Sequence, residues 1–511
     1  MDVSNTGRIA LLCVSLAPVF AASVNNPDGP PLVREARNGN LAAVRALIAQ
    51  HADVNVASED GTTSLHWAAR ADDLELTKAL LAAGANPKTA NRYGITPLFL
   101  AAKSGNASTT AVLLKAGADP KAALAEGENV LMAAARTGNP EVVKLLLEKG
   151  ADPNVREKRF GETALMWAAG ENNAAAIREL VSHGAEVNVV SDALQLAPWK
   201  WETSGMVSTM LPRGKWSALM IAARQGSREA AAALVEAKAD MNLRDPDGAT
   251  ALVLAIINGH FDLASALVNK GADPNIADES GEAALYAAVD MNTLAEMLVR
   301  PAPKLTDELD GMGLAKILLQ HGANPNARLK KPILGRQYEQ GDASLGAGST
   351  PFMRAVKSND IPMMHLLLDS GADPLATQDD FSTPVMIAAF GGRRPGAVAG
   401  PYPVTEESAI EVMKICLSKG VDINAFNTNG QTAVHLAAGR GANKIVQFLA
   451  DHGAKLDSKD KQNHTPAELA ALPNRDRPTR LPGAPQDATV ALLQQLISGK
   501  SVSSTQVGST Q

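Results

Sequence analysis

The stretch that decides the fold runs from Gly127 to Asn154 and reads GENVLMAAARTGNPEVVKLLLEKGADPN. An apolar run over Val130–Ala135 leads into the turn Thr137–Asn139, and a second apolar pattern follows before Gly150. Apolar residues at helical spacing on both sides of a tight turn predict two short amphipathic helices.

The same unit recurs along the chain. Its anchor is a glycine, or an equivalent residue, that stands four residues before a leucine or its equivalent. The anchors are Asp28, Gly61, Gly94, Gly127, Gly161, Lys215, Gly248, Gly281, Gly348, Phe381, Gly430 and Asn463. Seven of the eleven spacings between them are 33 residues. This self-similarity predicts a stack of repeats in place of several globular domains.

Residues at three kinds of position in the unit fit the predicted pair of helices. Hydroxyl side chains able to cap the first helix stand two residues after most anchors, at Thr63, Thr96, Thr163, Ser217, Thr250, Thr350, Thr383, Thr432 and Thr465. Glycines able to end the second helix stand at Gly84, Gly117, Gly150, Gly184, Gly271, Gly322, Gly371, Gly420 and Gly453. Paired alanines such as Ala68 and Ala69 let neighbouring helices approach closely.

The chain resembles ankyrin repeat proteins. The resemblance rests on Gly61–Ala69, on Gly430–Ala438 and on the recurrent Gly-Ala-Asp endings, and it covers 28–499. It implies an all-α repeat solenoid of about twelve helix-turn-helix units, with β-hairpin-like finger loops. First helices and fingers would line a concave surface. The first repeat departs from the pattern, as does Ala283, which lacks the capping hydroxyl, so we expect fraying at both.

Five inserts interrupt the period, near 189–214, 292–311, 327–347, 391–406 and 474–487. The first and third lengthen fingers, whereas the others fall between two helices and should emerge at the opposite edge. Inserts in such loops leave the stacked core intact and often carry function.

Aromatic and basic residues mark three inserts as candidate contacts with a partner protein. The first insert carries or borders Trp199, Trp201, Met206, Met210 and Trp216. Exposed Trp and Met are enriched in protein–protein hot spots. The alternative is that the rings fold back and cover the edge of the neighbouring repeat.

Two further inserts are both basic and aromatic, and their candidate contact residues are Arg336, Tyr338, Arg393, Arg394 and Tyr402. Here the alternative is a solvated basic loop.

The first 22 residues predict a cleavable signal peptide. Arg8 precedes an apolar run from Ile9 to Phe20, with a small-residue cleavage site at Ala21. The run is too short to span a membrane, which takes about 20 residues. We therefore expect an exported bacterial protein, periplasmic or secreted, although the leader of an intracellular protein is the alternative. The tail over 500–511 offers little to bury, and we expect it to be disordered.

Catalytic and metal-binding motifs are missing from the sequence. His66 and His435 occupy the position at which the family that the chain resembles carries a structural histidine. The two cysteines, Cys13 and Cys416, cannot supply a four-cysteine site, and neither His-Glu-x-x-His nor Gly-x-Ser-x-Gly occurs. We therefore expect no catalytic residues, no metal and no cofactor, so the chain is not predicted to be an enzyme.

The sequence thus favours an exported scaffold that binds a protein on its concave face and through its inserts. Binding of envelope carbohydrate or a small molecule at the tryptophan-rich insert is one alternative, and a secreted effector is another. The net charge of −6 is mild and its signs are interspersed, so no nucleic-acid partner is expected. We expect a monomer, with no membrane span in the mature chain.

Overall fold

The computed structural model describes residues 29–194, 199–200, 207–208, 213–293, 307–332, 345–390, 405–472 and 486–499. The chain forms two compact units, Met1–Glu186 and Val187–Gln511, here called unit 1 and unit 2.

Unit 1 consists of paired helices. The first helices of its pairs are α1 (Pro31–Arg37), α3 (Ser64–Arg70), α5 (Pro97–Lys103), α7 (Val130–Thr137) and α9 (Ala164–Gly170). The second helices are α2 (Leu41–Ala49), α4 (Leu74–Ala82), α6 (Ala107–Lys115), α8 (Pro140–Glu148) and α10 (Ala174–Ser182).

Unit 2 opens with short strands and continues with helix pairs. The strands are β1 (Ala193–Leu194), β2 (Trp199–Lys200), β3 (Val207–Ser208) and β4 (Arg213–Gly214). First helices are α11 (Ala218–Gln225), α13 (Ala251–Ile257), α15 (Ala284–Asn292), α17 (Pro351–Lys357), α19 (Pro384–Phe390), α21 (Ala433–Arg440) and α23 (Pro466–Ala471). Second helices are α12 (Arg228–Glu236), α14 (Phe261–Asn269), α16 (Gly311–Gln320), α18 (Ile361–Asp369), α20 (Glu406–Ser418), α22 (Asn443–Asp451) and α24 (Asp487–Ile497).

Within each unit, every first helix packs on the first helix of the next pair. Alanines make this close approach possible, since Ala68 and Ala69 on α3 are fully buried, as are Ala101 and Ala102 on α5. The second helices add larger side chains such as Leu146, which has no exposed surface. The predicted all-α repeat solenoid is therefore confirmed for the described residues of both units.

Side-chain caps start most first helices. The hydroxyl of Thr96 accepts the backbone N–H of Phe99 at 3.1 Å, and Thr250 caps α13 through Val253. Ala283 makes no such bond, yet the following helix α15 runs for nine residues. Burial of its apolar side chains, including Tyr286 at 1% exposure, holds α15 without the cap.

The finger loops use left-handed backbone at every anchor from Gly61 to Asn463. Where the anchor is not glycine the conformation persists, with φ of 49° at Lys215, 65° at Phe381 and 67° at Asn463. Backbone hydrogen bonds join successive fingers, and Arg92 N–H, for example, donates to the carbonyl of Asp60 at 2.8 Å. Thr428 N–H donates likewise to Asp380 at 2.7 Å, so the repeat geometry dictates the turn even where a bulky residue must adopt it.

Candidate functional site

The first insert contains an antiparallel β-hairpin at the start of unit 2. Ala193 pairs with Gly214 in β1 and β4, and Trp199 pairs with Ser208 in β2 and β3. An isolated bridge between Val190 and Ser217 closes the base. In all the described pairs, a residue that lies further along the first strand is paired with one that lies equally far back along the second strand. The pairs therefore share a single register.

Trp216 lies at the base of this hairpin and is half-buried. Its indole Nε1–H donates to Asp245 Oδ2 at 3.4 Å, on the finger of the next repeat. The guanidinium of Arg224, on α11, lies 4.7 Å from the ring centroid. Trp216 therefore packs on its own and the following repeat, which fits the fold-back alternative for this ring.

Of the other candidate contact residues, the structure describes only Trp199. Trp199 lies on β2, where its backbone pairs with Ser208. The remaining candidates lie outside the described residues, and they are Trp201, Met206, Met210, Arg336, Tyr338, Arg393, Arg394 and Tyr402.

Residues that flank two inserts tie those segments to their own unit. Arg328 donates to the carbonyl of Thr377 at 2.9 Å and to Asp379 at 3.0 Å. Asp307 accepts from Arg228 at 2.5 Å and from the backbone N–H of Asp262 at 2.7 Å. The insert over 327–347 thus begins, and the insert over 292–311 ends, at residues bonded to unit 2.

The buried histidines are structural. Thr63 donates its backbone N–H to His66 Nδ1 at 3.1 Å, and His66 Nε2 lies 2.9 Å from the carbonyl oxygen of Ile95. A carbonyl can only accept, so Nε2 carries the proton. Burial lowers the pKa of His66, which keeps the ring neutral. His435 repeats this arrangement in the repeat that begins at Gly430, where Thr432 donates its backbone N–H to His435 Nδ1.

Within the described ranges, no group of three or more His, Cys, Asp and Glu side chains is placed to hold a metal ion. Cys416 is a free, buried thiol, and burial raises its pKa to about 12. Among the same residues, none of the helices has the length and apolarity needed to cross a bilayer.

The structure brings together a set of residues that the sequence analysis did not single out. Four basic residues stand nine positions after successive anchors and end the first helices of unit 1, namely Arg37, Arg70, Lys103 and Arg136. Two tryptophans stand six positions after their anchors, Trp67 on α3 and Trp167 on α9. The fixed offset from each anchor is the signal that could have revealed this row.

Three of the four basic residues make cation–π contacts. The guanidinium carbons of Arg37 and Arg70 each lie 5.5 Å from the ring centroid of Trp67. Arg136 lies 5.7 Å from the ring centroid of Trp167. A small surface depression of about 10 Å³ lies beside the first of these rings, lined by Thr62, His66, Trp67, Arg70, Asn91 and Leu100.

Carboxylates gather at the finger side of unit 1. Glu157 is buried and accepts the backbone N–H groups of Arg159 and Phe160, each at 2.6 Å. Burial and the nearby Glu157 raise the pKa of Glu162 to about 7. Burial also raises the pKa of Glu128. The charge of the Glu162 carboxyl therefore changes with pH near neutrality.

Comparison with known proteins matches most of the chain to one family. A model described as ankyrin repeats (3 copies) matches residues 32–123, 113–191, 212–307 and 404–477, and a model described as ankyrin repeat matches 347–379. The chain belongs to the ankyrin repeat family. Ankyrin repeats generally mediate protein–protein interaction, and such scaffolds are generally non-enzymatic.

Individual relatives are similar over short segments. The chain is 29% identical over 129 residues to transient receptor potential cation channel subfamily A member 1 of Drosophila melanogaster, a match that covers 24% of this chain and 9% of that protein. It is 31% identical over 123 residues to alpha-latrocrustotoxin-Lt1a of Latrodectus tredecimguttatus, covering 24% of this chain and 8% of the toxin. The matches therefore span under a tenth of either relative's length.

Among solved structures, the human ASB11 ankyrin repeat domain is similar at 28% identity with a TM-score of 0.39. That match covers 48% of this chain and 99% of the solved one.

Proposed function

We propose that this chain is an exported bacterial ankyrin repeat scaffold that binds a protein partner. The observation that carries the proposal is the β-hairpin of unit 2, which lengthens one finger from a base bonded to its own repeats. A finger extended on a fixed base offers backbone and side chains to a partner without disturbing the helix stack.

The partner is proposed to lie on the concave face formed by first helices and fingers, with the inserts as additional grips. Trp199, Trp201, Met206 and Met210 are the proposed anchors of the first insert. Arg336 and Tyr338 in one later insert, and Arg393, Arg394 and Tyr402 in another, are proposed as secondary contacts. Because the helices and their fingers are preformed, binding loses little conformational entropy outside the inserts.

Removal of the hairpin tests this proposal. Deleting residues 193–213 brings the spacing between Gly161 and the Lys215 anchor to the 33 residues of the regular repeats. Affinity capture from the native envelope, read by mass spectrometry, should recover the partner with the full chain and lose most of it with the deletion. Replacing 474–484 by a Gly-Ser linker is the control, since that insert carries no proposed contact. Equal recovery with and without the hairpin would remove its assigned role.

Export rests on the leader over 1–22 and has its own test. Expressed in a bacterium, the chain should appear in the periplasm or medium with an amino terminus just after Ala21. A chain that keeps Met1 and stays in the cytoplasm would contradict export, while leaving the protein-binding proposal in place.

A further inference from the structure

The basic row of unit 1 is confined to one set of helices. Four of the five first helices, α1, α3, α5 and α7, have a basic residue in the last turn, and α9 has none. Among the second helices α2, α4, α6, α8 and α10, only α6 has one. Basic residues in a last turn offset the negative end of the helix dipole. Since that benefit applies equally to both sets of helices, it does not explain why only one set has the row.

Aromatic stacking prepares part of the row for a ligand. Trp67 is half-buried, and the guanidinium groups of Arg37 and Arg70 lie at equal distances from its ring centroid. An arginine whose planar head is held by stacking loses less freedom when it binds a carboxylate.

We propose that the first-helix face of unit 1 binds an acidic segment of a partner protein, with carboxylates on Arg37, Arg70 and Lys103. Arg136, the fourth residue of the row, already pairs with Glu171 at 3.7 Å. This inference rests on the proposed protein-binding function and names the chemistry of the partner, but it does not depend on the hairpin of unit 2.

The repeat spacing sets the spacing of the partner's charges. Packed helices lie about 8–10 Å apart, so successive basic residues of the row are separated by about that distance. A polyproline II segment rises about 3.1 Å per residue with three residues per turn, which places every third side chain on one side about 9 Å apart. The favoured ligand therefore carries an acidic residue at every third position.

Fluorescence anisotropy with the full chain and a labelled peptide of Glu-Pro-Leu repeats tests the inference. The peptide should bind, and Arg70→Gln combined with Lys103→Gln should weaken binding by at least about tenfold because charge-assisted bonds are lost. The control is Lys115→Gln with Lys144→Gln, which removes the same charge from second helices α6 and α8 and should leave binding unchanged. Binding to the unaltered chain should also weaken as salt increases, independently of any variant.

Three results would overturn the inference: equal binding of a Lys-Pro-Leu peptide, equal binding of single-stranded oligothymidylate, or full binding after Arg70 and Lys103 are changed. The chain that lacks 193–213 should bind the acidic peptide normally. Loss of the peptide together with continued hairpin-dependent capture of a partner would reject this surface alone and leave the proposed function standing.

Discussion

Leu146, on α8, has no solvent-accessible surface and lies in the core of unit 1. Truncation to alanine would leave a cavity because the packed helices on either side cannot fully collapse. We predict that Leu146→Ala lowers the free energy of unfolding by about 2–5 kcal/mol. Urea denaturation monitored by circular dichroism measures the change. Lys144→Ala, an exposed position on the same helix, should cost under about 0.5 kcal/mol, and a silent Leu146 variant would mean that the helix register is wrong.

Glu162 makes the stability of unit 1 depend on pH. Its folded pKa, raised by burial to about 7, lies above the ordinary value of 4.5, so the folded chain binds more protons than the unfolded chain between these values. Stability must therefore fall as pH rises through this window. Between pH 5 and pH 8 we expect this one group to account for a loss on the order of 2 kcal/mol.

Glu162→Gln should abolish that part of the pH dependence and make the chain more stable than the parent at pH 8. Denaturant titrations at the two pH values give the comparison. Glu148→Gln, on the exposed side of α8, should keep the parent's pH dependence. If Glu162→Gln behaves in the same way as Glu148→Gln, the carboxyl of Glu162 is not held protonated in the folded chain.

Phe381 is a bulky residue in the left-handed conformation, with φ of 65°, and its ring is 61% exposed. Left-handed backbone costs a residue with a Cβ roughly 1–2 kcal/mol, and asparagine tolerates it better than most. We predict that Phe381→Asn raises the free energy of unfolding by about 0.5–1 kcal/mol, measured by chemical denaturation. Phe426, 67% exposed on the next finger without a positive φ, provides the control, and Phe426→Asn should give no gain.

At the scale of elements, the hairpin separates two roles that tryptophan can play. Trp216 is half-buried and bonded to Asp245 at the base, whereas Trp199 lies further along the arm on β2. We predict that Trp216→Ala lowers the thermal midpoint because it removes packing on Arg224 and the next finger. Trp199→Ala should instead cost about 2 kcal/mol in affinity for the captured partner, with little change in stability.

For both variants, calorimetry measures the thermal midpoint and titration with the partner measures the affinity. A loss of stability at Trp199 without any loss of affinity would favour the fold-back alternative for that ring too.

At the scale of the whole molecule, unit 1 has its own core. Repeats of this kind contact only their neighbours, so stability is approximately a sum of local terms. We predict that a fragment of residues 29–186 folds into a helical, cooperatively melting protein. A shorter fragment, 29–172, lacks α10 and uncovers Ala168 and Ala169, so it should melt at a lower temperature. A random-coil circular dichroism spectrum for the longer fragment would show that unit 1 needs unit 2.

The repeat fold was predictable because its signals are local. Thr96 caps its helix as its place in the repeat predicts, and His66 bonds to Thr63 as the family's structural histidine would. The candidate site was less predictable. Trp216 could equally have been an exposed anchor, since the sequence does not show that Asp245 of the next finger comes within reach of its indole.

The basic row was missed for a related reason. Lys103, taken alone, looks like any solvated residue at a helix end, and only the comparison of equivalent positions across repeats makes it part of a set.

The sequence by itself determined the period, the helix pairs, the caps and the left-handed turns, because each depends on residues within a single unit of about 33 positions. Only the tertiary structure decided that Arg37 meets Trp67, that Glu162 is buried beside Glu157, and that Ala193 pairs with Gly214. Packing of neighbouring repeats or pairing of strands brings these partners together. The energies of their interactions depend on the distances between them and on the exclusion of water. A linear pattern specifies neither quantity until the repeats are packed.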